Sequence, residues 1–477
     1  MKNFLIYITT IFLLMISNAF PQLDRTIQPK PGQLSAITLP AIQRAELSNG
    51  LKLLIVEHHK LPVVTMQLIL QTGADADPNG KSGVARFTAS MIDEGTPTKS
   101  SLEVADAFDF LGTQFSTSAN FDGTFLSLTT LKEHLDSSFA TFAEVLLHPT
   151  FPEKEFSRLQ KELLTSLSQQ KDQATAVASK VFSKRLYENH PYGNQVGGDS
   201  TSVANLSVND VKNFYETFFA PNNATLIFVG DITKEEATNI AKQYLSDWKK
   251  KSILTTTIPK IANPTDVKIF LVDKPEAPQT EIRIGQLGIT RSSEDYYTLT
   301  VLQHILGSSS GRLFLNLREA KGYTYGAYAN FGYRKSVGPF VASAGVKTEV
   351  TDSSIIEFLY EINRMRDEVV PDSEFQMYKT AVIQRLPRTF ETLGQIANQL
   401  TDIALYNLPD SYFNSLTENL SKVTQADIQS VAKKYFQPEK LCIVVVGDKE
   451  KILAPLEKLA IGKIVLCDTD GKTLNKN

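Results

Sequence analysis

Few side chains in this 477-residue sequence stand at spacings that could do chemistry, and most candidate patterns fail on inspection. Gly307-Ser308-Ser309-Ser310-Gly311 has the G-x-S-x-G spacing that exposes a nucleophilic serine on a strand-to-helix turn. The preceding run, Tyr297 to Leu306, is patterned as a helix, so Gly307 reads as a helix C-cap in a small-residue loop and His304 as part of no triad. Asp75-Ala76-Asp77-Pro78-Asn79-Gly80 begins like a calcium loop, but its twelfth position is Arg86 rather than a bidentate Glu, and a turn after a strand is expected instead. Gly80-Lys81-Ser82 ends like a phosphate-binding loop, yet Asp75 stands where the first glycine must be. His58 and His59 are adjacent, so on a strand they point to opposite faces. His134, His148, His190 and His304 are widely separated, and no H-E-x-x-H or H-x-x-E-H occurs. The residues alone supply no complete zinc site.

Composition narrows the classes further. Apolar residues make up 42% and charged residues 21%, as in an ordinary globular protein. The net charge of −3 leaves no basic surplus for nucleic acid or an anionic membrane. Only Cys442 and Cys467 are present, which excludes a disulfide framework and a cysteine zinc site. Lys2, the apolar run Phe4 to Ile16 and the small-residue stretch Ser17-Asn18-Ala19 have the form of a cleavable signal peptide over residues 1–22. The expectation is an exported chain, periplasmic or extracellular, with no membrane span after signal cleavage and an extended N-terminus over residues 23–40.

The elements that must carry any site come in two copies. Asp210, Pro221, Gly230 and Asp231 are each followed 217 residues later by the same residue, at Asp427, Pro438, Gly447 and Asp448. In both copies a helical pattern leads through an aromatic and a Pro into an apolar run ending in Gly-Asp. Leu53-Leu54-Ile55-Val56 before Pro62 is echoed by Ile269-Phe270-Leu271-Val272 before Pro278, at an offset of 216. Two homologous halves are implied. We place them at residues 41–248 and 266–477, with a Pro-punctuated linker over 249–265. Runs such as Val64 to Leu70 read as strands. Phe156–Gln170, Asp210–Phe219, Ser353–Arg366 and Ala426–Tyr435 read as helices. The fold class is α+β, each half a largely antiparallel sheet with helices packed on it.

The segment Gly83-Val84-Ala85-Arg86-Phe87-Thr88-Ala89-Ser90-Met91, running on to Gly95-Thr96, resembles the active-site segment of the pitrilysin/insulinase-type metallopeptidases. These inverzincins, processing peptidases among them, carry G-x-A-H-x-x-E-H-M…G-T, with two zinc-binding His and a general-base Glu on one helix face. His190-Pro191-Tyr192-Gly193, Gly311-Arg312-Leu313-Phe314 and Leu317 to Gly326 extend the resemblance over nearly the whole mature chain, and the duplicated half agrees with it. By that alignment Arg86 and Ser90 stand where the His ligands would be, and Ala89 where the general base would be. Arg cannot ligate zinc, Ser is a poor ligand and Ala has no proton to move. The third ligand position falls on Thr165 or Ser166, or a helical turn earlier on Glu162.

A second element of the family is kept. Arg318 and Tyr325 match an Arg and a Tyr, seven residues apart, whose implied role is to hold the substrate main chain and its developing oxyanion. The structural alternative is that Arg318 caps a helix C-terminus and Tyr325 packs within a strand. The resemblance therefore implies a non-catalytic subunit of an exported zinc metalloendopeptidase, with no metal or cofactor of its own. Its partner would be a related zinc-bearing subunit of similar size, the two chains closing a chamber around a peptide substrate. The alternative function is a stand-alone peptide-binding or scaffold protein.

Overall fold

The computed structural model describes residues 41–253 and 258–474; the expected signal peptide and extended N-terminus, and residues 254–257 of the linker, lie outside the described residues. Among the described residues, twelve strands form two six-stranded sheets, one per half. In the first half these are β1 (Gln43–Glu46), β2 (Lys52–Glu57), β3 (Val63–Leu70), β4 (Gln114–Ala119), β5 (Thr124–Leu131) and β6 (Ala224–Gly230), in the order β1-β2-β6-β3-β5-β4. In the second they are β7 (Lys268–Asp273), β8 (Gln279–Leu287), β9 (Thr324–Phe331), β10 (Pro339–Lys347), β11 (Cys442–Gly447) and β12 (Lys463–Cys467), in the order β12-β7-β11-β8-β10-β9.

Both sheets are mixed but mainly antiparallel. The repeated apolar run ending in Gly-Asp forms β6 and β11, and each lies parallel to one neighbour, β2 or β7, and antiparallel to the other, β3 or β8. The outer strands break the symmetry: β1 runs antiparallel to β2, whereas β12 runs parallel to β7.

Seven helices position the candidate residues and join the two halves: α1 (Val84–Met91), α2 (Glu153–Gln170), α3 (Ala174–Tyr187), α4 (Val208–Phe218), α5 (Tyr296–Gly307), α6 (Leu393–Tyr406) and α7 (Gln425–Tyr435). The repeat explains the ends of α4 and α7. Ser207 with Asp210, and Thr424 with Asp427, form matching capping boxes, each hydroxyl accepting from the amide three residues on.

The central strands β6 and β11 are buried on both faces, whereas β9 alternates between buried and exposed positions. Helix α3 belongs to the first half by sequence but packs on the second sheet, where Val177, Val181 and Phe182 meet Phe270, Val444 and Val446. Helix α6 of the second half packs in turn on the first sheet, and Ile396, Ala397 and Leu400 share a core with Leu54, Ile69 and Val229. The exchange is sealed by polar ties, including Thr401 donating to Gln67 (2.8 Å) and Gln71 donating to the Ala404 carbonyl (2.8 Å). The Lys335 ammonium donates to the carbonyls of Gln71 (2.6 Å) and Asp122 (2.5 Å) across the two halves. Double burial is why β6 and β11 read as nearly unbroken apolar runs rather than alternating ones.

Candidate functional site

Helix α1 carries Arg86, Ala89 and Ser90 on one face. It starts at Gly83, whose φ of +99° suits only glycine, and a Cβ there would come within 2.9 Å of the Gly197 backbone. Asp77 closes the helix start by accepting from the amides of Gly83 (2.6 Å) and Ala85 (2.9 Å). Burial pushes the Asp77 carboxyl up to about 7 against those two hydrogen bonds. The calcium-like pattern at Asp75–Gly80 is thus the turn expected, with a capping function that sequence reasoning missed.

What α1 presents does not fit zinc. Arg86 is exposed. Ala89 is 0% exposed, packed into the first-half core. The Ser90 hydroxyl donates back to the Arg86 carbonyl (3.1 Å). The three candidates for a further ligand lie on α2 and are also engaged. Thr165 donates to the Lys161 carbonyl (2.8 Å), and Ser166 accepts from Gln170 (3.3 Å). Glu162 pairs with Arg158 (3.1 Å), which also holds Glu94 (2.7 Å) and Glu155 (2.7 Å). Arg158 thereby ties α2 to the loop just beyond α1. Among the described residues, no group of three or more His, Cys, Asp or Glu is placed to hold a metal ion.

The other candidate patterns resolve as well. Gly307 to Gly311 follows helix α5, not a strand, so it makes no nucleophile elbow. Gly307 itself is a correction: it is the last helical residue, Ser308 is the C-cap, and a Cβ at 307 would collide with the Ala329 backbone of β9. Close helix–strand packing, not a left-handed cap, demands the glycine. His58 and His59 lie just past β2 rather than within it; His59 pairs with Asp231 (2.6 Å) and Glu57 (3.3 Å) at the surface.

Arg318 and Tyr325 stand on two irregular segments. Arg318 lies in a wide turn, Leu315–Ala320, where the Lys321 amide reaches back five residues to the Asn316 carbonyl (3.0 Å). Its side chain is 46% exposed, stacks on Phe314 (4.8 Å) and approaches Glu319 (3.6 Å). Neither contact is a helix-terminal carbonyl, so the capping alternative is not what Arg318 does. Tyr325 lies on β9, one of the two edge strands of the second sheet. Ala344 pairs with Ala327 and Val346 with Thr324, so Gly345 alone opposes Tyr325 and Gly326. This β-bulge turns Tyr325 away from the buried face of Ala327, Ala329 and Phe331 and leaves it 84% exposed. The Thr324 hydroxyl fixes the bulge, lying 2.6 Å from the Gly345 carbonyl and 2.9 Å from the Gly326 carbonyl and accepting from the Gly326 amide (3.1 Å). The strand-packing alternative for Tyr325 therefore fails. Sequence reasoning missed this bulge, although the glycines at 326 and 345 within two strand patterns were its signal.

Comparison with known proteins places this geometry. Residues 52–200 match the family described as insulinase (peptidase family M16), and residues 205–382 match the peptidase M16 inactive domain. The crystal structure of a peptidase M16 inactive domain from Pseudomonas fluorescens superposes with a TM-score of 0.81 at 28% identity, covering 85% of this chain and 98% of that one. The non-peptidase homolog YmxG of Helicobacter pylori is 20% identical over 88% of this chain and 96% of its own length. The periplasmic protease PqqL of Escherichia coli shares the fold at 17% identity and a TM-score of 0.72, over 92% of this chain and 52% of that one.

Proposed function

The chain belongs to the insulinase family of peptidases, M16, and we propose that it is a non-catalytic subunit of an exported zinc metalloendopeptidase in that family. Its partner is a related zinc-bearing chain of similar size, the zinc resides there, and the two together close a chamber around a peptide substrate. One observation carries this reading: Arg86, Ala89 and Ser90 offer no ligand set or base, while Arg318 and Tyr325 are both presented outward by a wide turn and a bulge. A guanidinium and a phenol are strong donors to a peptide carbonyl and to the oxyanion that develops from it. Arg318 would hold the substrate main chain, and Tyr325 would donate to the oxygen on which charge grows. The hydrolytic water and its activation belong to the partner. Export is supported by the apolar N-terminal segment, and no helix among the described residues is long and apolar enough to cross a membrane.

The test is reconstitution. A related chain from the same genome with an intact H-x-x-E-H should form a 1:1 complex with this one and gain peptidase activity that neither has alone. Full activity of that chain by itself, unchanged on addition, would favour a stand-alone peptide-binding or scaffold protein.

A further inference from the structure

The bulge that exposes Tyr325 also decides which side chains share its face. In a regular strand successive side chains alternate, so positions 325 and 328, an odd number apart, would point oppositely. The extra residue opposite Gly345 changes that count. Ala327, Ala329 and Phe331 stay buried, while Tyr325 and Tyr328 are both exposed, at 84% and 47%. Two phenols therefore leave β9 on its outward face, at the same edge of the sheet.

The glycines that face one another at the bulge show where the second phenol goes. A Cβ on Gly326 would lie 2.6 Å from the Tyr328 hydroxyl and 3.0 Å from its Cζ. The ring thus lies back along the strand over the glycine, and its oxygen ends beside the residue that follows Tyr325. Gly326 has no positive φ, so close approach of this ring, not backbone conformation, is what asks for glycine there. On Gly345 a Cβ would lie 2.6 Å from Oε1 of Glu281, a carboxylate already paired with Arg283 (3.0 Å).

An aromatic ring laid over an edge-strand glycine supports the edge on its own account, and a phenylalanine would do that equally well. The hydroxyl is the part that packing does not use. The hydrogen bonds that fix the bulge run through Thr324 and the backbone, and among the described residues none is made by the Tyr328 hydroxyl.

We propose that Tyr328 is a second substrate-binding donor, its hydroxyl donating to a main-chain carbonyl of the peptide beside the one that Tyr325 meets. Gly326 is its positioning residue. The inference rests on the peptidase-subunit reading and divides the work between the two phenols. Tyr325 meets charge that grows only as the carbonyl is attacked, so its hydrogen bond strengthens in the transition state and acts on kcat. A carbonyl away from the reacting carbon is unchanged through the reaction, so the bond from Tyr328 binds ground state and transition state alike and acts on KM.

Steady-state cleavage by the reconstituted complex reads that division. Tyr328→Phe should raise KM for a quenched peptide about three- to tenfold, as loss of one neutral hydrogen bond implies, with kcat within about twofold and melting unchanged. Gly326→Ala puts a methyl where the phenol lies and should raise KM by a similar factor although both tyrosines remain. The double variant should be no worse than the worse single one, because both changes remove the same bond. Fluorescence anisotropy of the same peptide, labelled, on the isolated chain separates the two levels of the argument. Weaker peptide binding by Tyr328→Phe beside an inactive complex would refute the peptidase-subunit reading and retain Tyr328 as a peptide donor. An active complex in which Tyr328→Phe keeps wild-type KM would overturn the proposal, as would fully additive losses in the double variant. Absence of saturable peptide binding by both the chain and the complex would overturn the proposal and the reading together.

Discussion

Tyr325→Phe separates a working donor from a decorative one, because the structure makes its two energies very different. The phenol is 84% exposed and stands in water, so removing one oxygen should change stability by less than about 0.5 kcal/mol. If that hydroxyl meets the developing oxyanion in the assembled peptidase, its loss should lower turnover ~10²–10³-fold, or roughly 3–4 kcal/mol of transition-state stabilisation. A companion change tests how the phenol is aimed. Thr324→Val removes a hydroxyl within 2.6 Å of the Gly345 carbonyl that also accepts from the Gly326 amide, which should cost about 1–3 kcal/mol and loosen the bulge. Turnover should therefore fall in both variants, whereas melting should fall only in Thr324→Val. The assay is steady-state cleavage of a quenched peptide by the reconstituted complex, read beside thermal melting of the same samples. Assembly with the partner must be intact in each. Wild-type kcat in the Tyr325→Phe complex would refute the reasoning, and so would a large loss of melting temperature in that variant, since either result makes Tyr325 structural. Arg318→Ala is the poorer probe, because the side chain also stacks on Phe314.

The purified chain should contain no stoichiometric zinc and cleave no peptide alone; elemental analysis finding about one tightly held zinc per chain would overturn the reading of Arg86, Ala89 and Ser90. Gly307→Ala should destabilise by several kcal/mol in a denaturant titration, because its Cβ meets the Ala329 backbone; a cost near 1 kcal/mol would instead fit a simple loss of helix-end freedom. The raised Asp77 pKa has a definite sign. The folded state holds a proton that the unfolded state releases between about pH 4 and 7, so this group destabilises the fold as pH rises through that window, by at most about 1.4 kcal/mol per pH unit. Asp77→Asn keeps an acceptor for the helix start and should flatten that part of the melting-versus-pH curve; an unchanged slope would show that Asp77 titrates as an ordinary carboxyl.

How much of the fold and site was legible in the residues depended on the distance over which a residue's role is decided. The repeat at an offset of 217 located β6 and β11 and the capping boxes of α4 and α7, because those are local features preserved in both halves. The exchange of α3 and α6 was invisible, since a helix pattern reveals an apolar face but not which sheet it meets. The same exchange explains why the central strands β6 and β11 lack alternation: both of their faces are buried, one by helices of the same half and one by the helix from the other. The ambiguity among Glu162, Thr165 and Ser166 came from a helix carrying no donor set to fix its register. In the structure Glu162 is tied to Arg158, Thr165 to Lys161 and Ser166 to Gln170. Residues with no chemistry of their own, Thr324, Gly326 and Gly345, set the direction of Tyr325 through a register shift between β9 and β10. A pattern of side-chain types does not encode such a shift.

The two candidate regions also differ in what maintains them, and that difference bears on use. Helix α1 needs no metal to stay in place. Asp77 closes its start, Gly83 and Gly198 allow it to sit against the neighbouring backbone, Ala89 and Met91 fill the core, and Arg158 ties the loop after it to α2. Losing zinc ligands from such a helix costs the fold little, so a degenerate motif can persist on an intact scaffold. The Arg318–Tyr325 segment is the opposite case. A regular strand and a regular helix would bury more apolar surface and keep every ladder hydrogen bond, yet here a wide turn and a bulge interrupt both and leave a large aromatic in water. Thr324 and Asn316 are committed to holding those departures, the latter through Glu357 (2.9 Å) and Glu361 (2.9 Å). Among the described residues, the Tyr325 ring that the bulge exposes adds little to the packing of this chain. On the proposed function, the exposed guanidinium and phenol are left free to meet a substrate main chain.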